Sequence, residues 1–337
     1  MSSRMNQSKK IFLMAGMTAL LFSLTFVGYT APQKIVLQYG ELNPQTHPMA
    51  QGAEKFAELV NKSSHGRIEI KMYFSGQLGD EKSMAQLVQM GGTLDMMRIG
   101  SNTLGDFGAD KMSLFALPYV FKNRAHMMRV INSKIGAEIL KNVEESNAEM
   151  IGLMFFDEGA RHFFFRNKVV SSIKDMKNLK IRVPETQILM DTVKAFGASP
   201  TPISFSELYS ALQTGVVDGA ENPITGYLSG NYYEVGKYYT LDAHTYSPSV
   251  MVISKSAWSK LAPQDKKIIM NAAKQTEQYV SSQADKLETD ALKQLKAKGA
   301  VITDIRDKSE WQKAVVPVYE KYGKKYKNLL DAIKKME

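Results

Sequence analysis

Three short segments in the middle of the chain decide how the rest of it is organised. They are Gly159-Ala160-Arg161-His162-Phe163, Lys180-Ile181-Arg182-Val183-Pro184-Glu185-Thr186 and Asp218-Gly219-Ala220-Glu221-Asn222-Pro223. Arg161 and Arg182 each lie at the edge of an apolar segment, and Asn222 follows a short strand-like run. A guanidinium presents a planar fork of donors that matches a carboxylate, and an amide N–H can hold a further oxygen. This combination is typical of a site for an organic acid.

A structural role explains the same arginines. An arginine at a strand edge is usually a surface residue or the partner of a carboxylate within the protein. Two such residues in one region give only modest support for a ligand site. Spacing alone therefore favours the structural role for Arg161 and Arg182.

The N-terminal half alternates between strand and helix patterns. Apolar or alternating runs predict strands at 35–39, 68–72 and 94–99, and apolar residues at helical spacing predict helices at 49–60 and 81–89. Strands and helices that alternate at this spacing predict an α/β fold whose sheets are mainly parallel, with right-handed crossovers.

The middle of the chain repeats this pattern. It predicts strands at 150–156, 180–183 and 216–220, and helices at 188–196 and 205–213. At 337 residues, two domains are the usual arrangement.

Two later segments connect the predicted domains. A strand at 249–254 is expected to return to the first sheet. A helical pattern begins at Pro263 and ends at Gly299. A helix of about 35 residues spans roughly 50 Å, which is longer than one small domain needs, so we expect it to serve both domains.

Three polar residues lie where parallel sheets bind their ligands, which is at the carboxyl ends of the strands. Glu41 follows the first predicted strand, Glu81 begins the second predicted helix, and Arg98 is close to the end of the third strand. For each residue taken alone, a solvated or capping side chain is the simpler explanation.

Residues 1–31 have the composition of an export signal. Basic residues precede an apolar run at 11–27, and small residues follow at 28–31, where a signal peptidase would cut. We therefore predict a periplasmic protein. An uncleaved anchor is the alternative, because Tyr29 and Pro32 fit a cleavage site poorly. The chain has no cysteine, which excludes disulfides, a lipid-modified cysteine and thiolate chemistry.

Charge and motifs argue against several other classes. Residues 1–31 carry three positive charges and no acid, so the formal charge of +9 falls to +6 for the rest of the chain. This mild excess contains no long block of like charge, and no nucleic-acid partner is expected. The five histidines form no helical metal-binding pair, and phosphate-loop, dinucleotide and serine-nucleophile motifs are missing from the sequence. We expect no metal, no cofactor and no catalytic residue.

Five segments, taken in order, resemble a known family. They are Leu117-Pro118-Tyr119, Lys180-Ile181-Arg182-Val183-Pro184, Gly197-Ala198-Ser199-Pro200-Thr201-Pro202, Glu207-Leu208-Tyr209-Ser210-Ala211-Leu212-Gln213-Thr214-Gly215 and Val217-Asp218-Gly219-Ala220-Glu221-Asn222-Pro223. Together they resemble the solute-binding proteins of tripartite ATP-independent periplasmic (TRAP) transporters. The resemblance covers essentially all of the chain after the signal segment.

The resemblance implies a two-domain α/β protein that closes like a flytrap over an organic acid. Crossing strands and the long helix would join the domains. Domain I would comprise residues 33–158 with 248–287, and domain II residues 159–247 with 288–330. The implied partners are the TRAP membrane permease subunits, and the implied role is binding without catalysis.

The resemblance also assigns roles to residues of the second domain. In the family, the arginine of the Arg-Val-Pro block makes the main bidentate contact with the ligand carboxylate, and it falls here on Arg182. The preceding arginine falls on Arg161, and the asparagine of the Glu-Asn-Pro block falls on Asn222. Phe205 matches a phenylalanine that lines the pocket.

The resemblance points to a sugar acid as the ligand. The polar contacts of the first domain fall on Glu41 and Glu81. Sialic-acid-binding members have a glutamate where this chain has Gly100, which disfavours sialic acid. The segments 157–161 and 233–245 resemble the branch that binds glucuronate and galacturonate.

The two glutamates fit this ligand chemically, because carboxylates accept hydrogen bonds from hydroxyls and repel a second carboxylate. A four-carbon dicarboxylate or a keto acid on the same scaffold is one alternative. An exported enzyme that acts on an organic acid is another.

Overall fold

The structure is a computed structural model that describes residues 34–337. The predicted signal segment, residues 1–31, lies outside the described residues. No helix in the range 34–337 has the length and apolar character needed to cross a membrane.

The strands form two separate sheets. In chain order they are β1 (Ile35–Gly40), β2 (Ile68–Tyr73), β3 (Met96–Gly100), β4 (Met150–Phe156), β5 (Arg161–Phe165), β6 (Lys180–Val183), β7 (Ser199–Pro202), β8 (Gly219–Pro223), β9 (Tyr238–Thr245), β10 (Ser249–Ser254) and β11 (Val301–Asp304). The first sheet has the order β2-β1-β3-β10-β4, and the second has the order β11-β9-β5-β8-β6-β7. The domain limits given above stay a prediction.

Helices follow most of the strands. They are α1 (Pro48–Ser63), α2 (Glu81–Met90), α3 (Ser101–Asp106), α4 (Arg124–Ile131), α5 (Lys134–Glu145), α6 (Gln187–Ala195), α7 (Leu208–Thr214), α8 (Ile224–Ser229), α9 (Lys255–Lys260), α10 (Pro263–Ala297), α11 (Ser309–Ala314), α12 (Val316–Val318) and α13 (Lys327–Lys334). The α/β class predicted from the alternating pattern is confirmed.

Both sheets are mixed: of the nine strand pairings in residues 34–337, five are parallel and four are antiparallel. Strand β1 is parallel to β2 and β3, as expected, but β10 is antiparallel to both of its neighbours, β3 and β4. In the second sheet, β5 is antiparallel to β8 and β9. Parallel neighbours in a sheet need a long crossover connection. Strand β10 instead enters the first sheet directly after β9 of the second sheet, and it runs antiparallel to β3 and β4.

The long helix serves both sheets, as predicted. Near its start, α10 buries Ile269 and Ala273 in the same apolar core as Leu37 of the first sheet. Near its end it buries Leu295 with Phe164 of the second sheet. Its apolar contacts therefore change from one core to the other along its length.

One strand lies further along the chain than predicted. The expected strand at 216–220 is observed as Gly219–Pro223. Helix α7 ends at Thr214 and is capped by Gly215, which has a φ of 82°, a left-handed conformation that glycine adopts without strain. The chain then joins β8 between β5 and β6, so Asn222 lies within the strand and is not beyond its end.

Candidate ligand-binding site

A cavity of about 570 Å³ lies between side chains of the first sheet and side chains of the second. Six of the seven predicted site residues line it: Glu81, Arg98, Arg161, Arg182, Phe205 and Asn222. Glu41 is fully buried behind Arg98 and does not line the cavity. A volume of this size is within the range of small-molecule sites.

Arg182 is a buried arginine without a carboxylate partner in residues 34–337. It belongs to β6, and its side chain is 2% exposed. The Nε–H donates to the carbonyl oxygen of Ile203 at 2.8 Å, and no salt bridge to it is formed within the described part of the chain. Burial lowers the pKa of Arg182 to about 10, although the carboxylate of Glu221 partly opposes this change. The wall therefore holds a cation that an anionic ligand would stabilise.

Asn222 presents an unmatched amide beside Arg182. Arg182 is in register with Ala220 of β8, and residues two apart in a strand share a face, so Asn222 and Arg182 lie on the same face of the second sheet. The Nδ2 group of Asn222 is buried and has no hydrogen-bond partner among residues 34–337. A Cβ atom at Gly226 would come within 2.9 Å of this nitrogen, so the glycine leaves the amide its space.

Arg161 is held in place by a buried chain of charges. Its Nε–H donates to Glu221 Oε2, and its Nη2–H donates to Glu221 Oε1 at 2.8 Å. The ring of His244 lies behind, with Nε2 at 3.6 Å from Glu221 Oε2 and Nδ1 at 2.7 Å from Asp242 Oδ2. Glu221, His244 and Asp242 together form a fixed support for the Arg161 guanidinium.

His244 is the titratable member of this chain. Burial disfavours its charged form, but the carboxylates of Asp242 and Glu221 raise the pKa of His244 to about 9. Burial likewise raises the pKa of Glu221, yet the stronger effects of Arg161 and His244 hold it well below its usual range. At neutral pH, His244 is therefore protonated and Glu221 is ionised.

The arginine on the first sheet directs three of its five N–H donors to carboxylates of the protein. Arg98, in β3, donates from Nε to Glu41 Oε2 at 3.1 Å and from Nη2 to Glu41 Oε1 at 2.6 Å. Its Nη1–H donates to Glu158 Oε1 at 2.5 Å. Burial lowers the pKa of Arg98, but the charges of Glu41 and Glu158 outweigh burial and raise it. Glu41 therefore serves as an internal partner, because Arg98 occupies both of its oxygens.

Glu81 is oriented by the segment that follows β3. Its Oε1 accepts from the backbone N–H of Gly100 at 2.8 Å, and its Oε2 accepts from the hydroxyl of Thr103 at 2.6 Å. A Cβ atom at Gly100 would come within 2.5 Å of Asn102 Oδ1, so a larger residue there would displace the Asn102 side chain.

Several residues of the cavity wall were not predicted from the sequence, and two of them, His47 and Glu158, have titratable side chains close to Arg98. Glu158 lies two residues beyond the end of β4, so the rule for strand ends would have selected it. His47 lies in the loop before α1 and has no comparable signal in the sequence.

Residues 34–337 contain no cluster of three or more histidine, aspartate or glutamate side chains arranged to hold a metal ion. The fold and the site instead define a binding protein, in which a cavity between two α/β layers offers a buried cation and an unmatched amide.

Comparisons with known proteins agree with this class. The chain is 32% identical to a TRAP periplasmic solute-binding protein from Pseudomonas putida solved with bound D-glucuronate, at a TM-score of 0.86 over 89% of this chain and 97% of that one. A second such protein, from Xanthobacter autotrophicus with bound β-D-galacturonate, is 31% identical at a TM-score of 0.85, over 89% and 100% of the two chains. The C4-dicarboxylate-binding periplasmic protein of Rhodobacter capsulatus is 27% identical over 93% of each chain.

The profile of the family described as bacterial extracellular solute-binding protein, family 7, matches residues 39–325. The chain belongs to this family, and it is a solute-binding protein of the TRAP type. The family consists of binding proteins, so the alternative of an exported enzyme is set aside.

Proposed function

We propose that the protein binds a sugar acid of the D-glucuronate or D-galacturonate type in the periplasm and delivers it to a TRAP membrane permease. The ligand carboxylate binds Arg182, with Arg161 and Asn222 in support. The observation that carries this proposal is the buried guanidinium of Arg182, which has no carboxylate partner within residues 34–337. A bidentate ligand carboxylate would use donors that the described chain leaves free.

The charges of the two walls support a single carboxylate on the ligand. We define the second-sheet wall as Arg161, Arg182 and Asn222, with Glu221, Asp242 and His244 behind it. Three of these groups are cations and two are anions, which leaves one positive charge unmatched.

We define the first-sheet wall as His47, Glu81, Arg98 and Glu158, with Glu41 behind it. It has one cation against three carboxylates. Carboxylates accept hydrogen bonds from hydroxyls but repel a second carboxylate. A ligand with an acid at one end and hydroxyls at the other matches both walls, and a dicarboxylate matches only one.

Phe205 provides an apolar surface at the cavity, and its ring is 6.0 Å from that of Tyr232 in an edge arrangement. The proposal also includes two further predictions from the sequence. Residues 1–31 direct export, and the two sheets with their helices form two domains that close over the ligand because it contacts both walls.

A thermal-shift screen of residues 32–337 tests the ligand class. D-glucuronate and D-galacturonate are compared with succinate, malate and sialic acid. A ligand at a hundred times its Kd stabilises the folded state by about 2.7 kcal/mol, so we expect a clear rise in Tm with a uronate and none with the other acids. A rise with succinate or malate alone would overturn the sugar-acid proposal in favour of a dicarboxylate.

A further inference from the structure

His47 has a defined tautomer. Its Nδ1 accepts a hydrogen bond from the backbone N–H of Met49 at 3.1 Å, where it caps the start of α1. A ring nitrogen that accepts carries no proton, so the proton of the neutral ring is on Nε2. Burial and the nearby charge of Arg98 lower the pKa of His47 to about 3, so the ring is neutral at physiological pH.

The Nε2–H of His47 is free for a ligand. The residue is only 4% exposed, yet it lines the cavity. Nε2 makes no hydrogen bond within the described chain, and it is not among the fully buried polar atoms that lack a partner, so it keeps some accessible surface. Because Nδ1 faces the backbone of α1, we infer that the opposite nitrogen faces the cavity.

The neighbours of His47 determine which group can accept this proton. Arg98 donates from all three of its nitrogens to Glu41 and Glu158, so these carboxylates already compensate its charge and it attracts an anionic ligand less than Arg182 does. Glu158 accepts from Arg98 and lies beside the hydroxyl of Ser249, and the remaining lone pairs of its carboxylate can accept a further hydrogen bond. This part of the wall therefore combines a neutral donor with an anionic acceptor.

We propose that His47 is a specificity-determining residue that donates a hydrogen bond from Nε2 to a ligand hydroxyl whose own hydrogen is accepted by a carboxylate of the first-sheet wall. A hydroxyl suits this pair because it both accepts and donates. A methylene leaves the imidazole unmatched, and a carboxylate would face Glu158. The inference rests on the proposed function and narrows its ligand to an acid that is hydroxylated at the end remote from the carboxylate.

The test is a His47→Asn variant, studied by calorimetric titration. Asparagine is a good N-cap, so it preserves the acceptor at the start of α1 while its shorter side chain removes the donor from the cavity. We expect the Kd for D-glucuronate or D-galacturonate to rise on the order of tenfold, the effect of one unmatched buried hydroxyl. The Kd for glycolate, which is too short to span both walls, should not change.

His126 offers a matched control. Its Nδ1 also accepts from a backbone N–H, that of Lys122 at 3.1 Å, but its Nε2 lies 2.9 Å from the carbonyl oxygen of Ile333, away from the cavity. His126→Asn should lower Tm and leave the Kd for uronates as in the wild type. This variant separates loss of a buried imidazole from loss of the ligand contact.

The outcomes distinguish this inference from the proposed function. If the wild type binds neither uronate, the proposed function is overturned together with the inference that rests on it. If the wild type binds a uronate and His47→Asn binds it equally well, or binds every acid less well by the same factor, only the role of His47 is overturned.

A measurement on the wild type does not depend on the variant's folding. In a spectrum of protein with ring-¹⁵N-labelled histidine, His47 is expected as a neutral imidazole protonated on Nε2, whereas His244 is protonated on both nitrogens. Addition of a bound uronate should shift the Nε2–H signal of the neutral ring. An unchanged signal would contradict the proposal.

Discussion

Arg182 and Arg98 are buried to nearly the same degree, but they differ in their partners: Arg98 pairs with carboxylates of the protein, and Arg182 pairs with none in residues 34–337. Both lie in strands, both line the cavity, and they are 2% and 5% exposed. Arg98 donates to Glu41 and Glu158 from three nitrogens, whereas Arg182 donates to a single backbone carbonyl. The pKa of Arg98 is accordingly raised, and that of Arg182 is lowered.

This difference shows that burial alone does not identify a ligand-binding arginine. A buried guanidinium is costly unless something neutralises it. The protein supplies the neutralising carboxylates for Arg98, and in residues 34–337 it supplies none for Arg182. The first arginine therefore contributes to the folded structure, and we propose that the second contributes to binding.

Replacing Arg98 should produce the largest effect on stability. Arg98→Ala leaves the buried carboxylate of Glu41 and the partly buried carboxylate of Glu158 without their cation, so we expect the free energy of unfolding to fall by about 3–5 kcal/mol. Chemical denaturation of the unliganded protein measures this value. Adding Glu41→Gln to Arg98→Ala should recover part of the loss, because it removes one unpaired charge. If the free energy of unfolding fell by less than about 1 kcal/mol, Arg98 would not have the stabilising role that distinguishes it here from Arg182.

Replacing Arg182 should affect binding and leave stability nearly unchanged. Arg182→Ala is expected to weaken uronate binding by about 2–5 kcal/mol, on the order of two to three decades in Kd. Unfolding of the unliganded protein should be unaffected or slightly harder, since the variant removes an unmatched buried cation. Arg182→Lys keeps the charge but loses the fork of donors, so it should also bind poorly.

Calorimetric titration and denaturation of the same Arg182 variants provide both numbers. Wild-type affinity in either variant, with the fold intact, would remove Arg182 from the site. A loss of stability as large as that of Arg98→Ala would remove the contrast between the two residues.

The support of Arg161 predicts a pH dependence with a definite sign. The pKa of His244 is about 9 in the folded protein and about 6.5 in the unfolded chain, so the folded state binds the extra proton between these values. The stabilisation is complete below pH 6.5 and is lost as the pH rises through 9. The loss amounts to at most about 3 kcal/mol.

Denaturation of the wild type and of His244→Asn between pH 6 and 10 checks this prediction. The variant should lack most of the decline, because it has no imidazole to titrate. A wild-type stability that is flat between pH 6.5 and 9 would mean that His244 is not held protonated by Glu221 and Asp242.

The smallest effect is expected at the mouth of the cavity. The Nζ atom of Lys82 in α2 lies 3.3 Å from Oε2 of Glu185, which follows β6, so this pair joins elements that carry the two walls. Both side chains are more than half exposed, and exposed ion pairs contribute little. Lys82→Ala should raise the Kd for a uronate less than fivefold, with a difference that shrinks in high salt. A larger, salt-insensitive effect would place Lys82 in contact with the ligand.

Much of the fold follows from local sequence patterns. The predicted limits of β4, β6 and β10 coincide with those observed, because apolar runs bounded by polar or breaking residues define a strand locally. The helices between residues 101 and 145 were not predicted. The strand at β8 was predicted too early, because its limits depend on pairing with β5 and β6 and not on its own composition.

The residues of the candidate site were likewise predicted only in part from the sequence. Sequence and family resemblance selected Arg161, Arg182 and Asn222, and all three line the cavity. They also selected Glu41, which the structure places behind Arg98, and they omitted His47 and Glu158. Whether these side chains also contact the ligand stays a prediction until the variants are measured.

The amino-acid sequence by itself determined the α/β class, the family and the presence of arginines at strand edges, since these depend on residue type and short-range order. Only the tertiary structure decided which arginine is free. The partners of Arg98 are 57 and 60 residues away in the chain, and they reach it because β1, β3 and β4 meet in one sheet. Charge compensation depends on distances in space, and no local pattern around Arg98 or Arg182 encodes them.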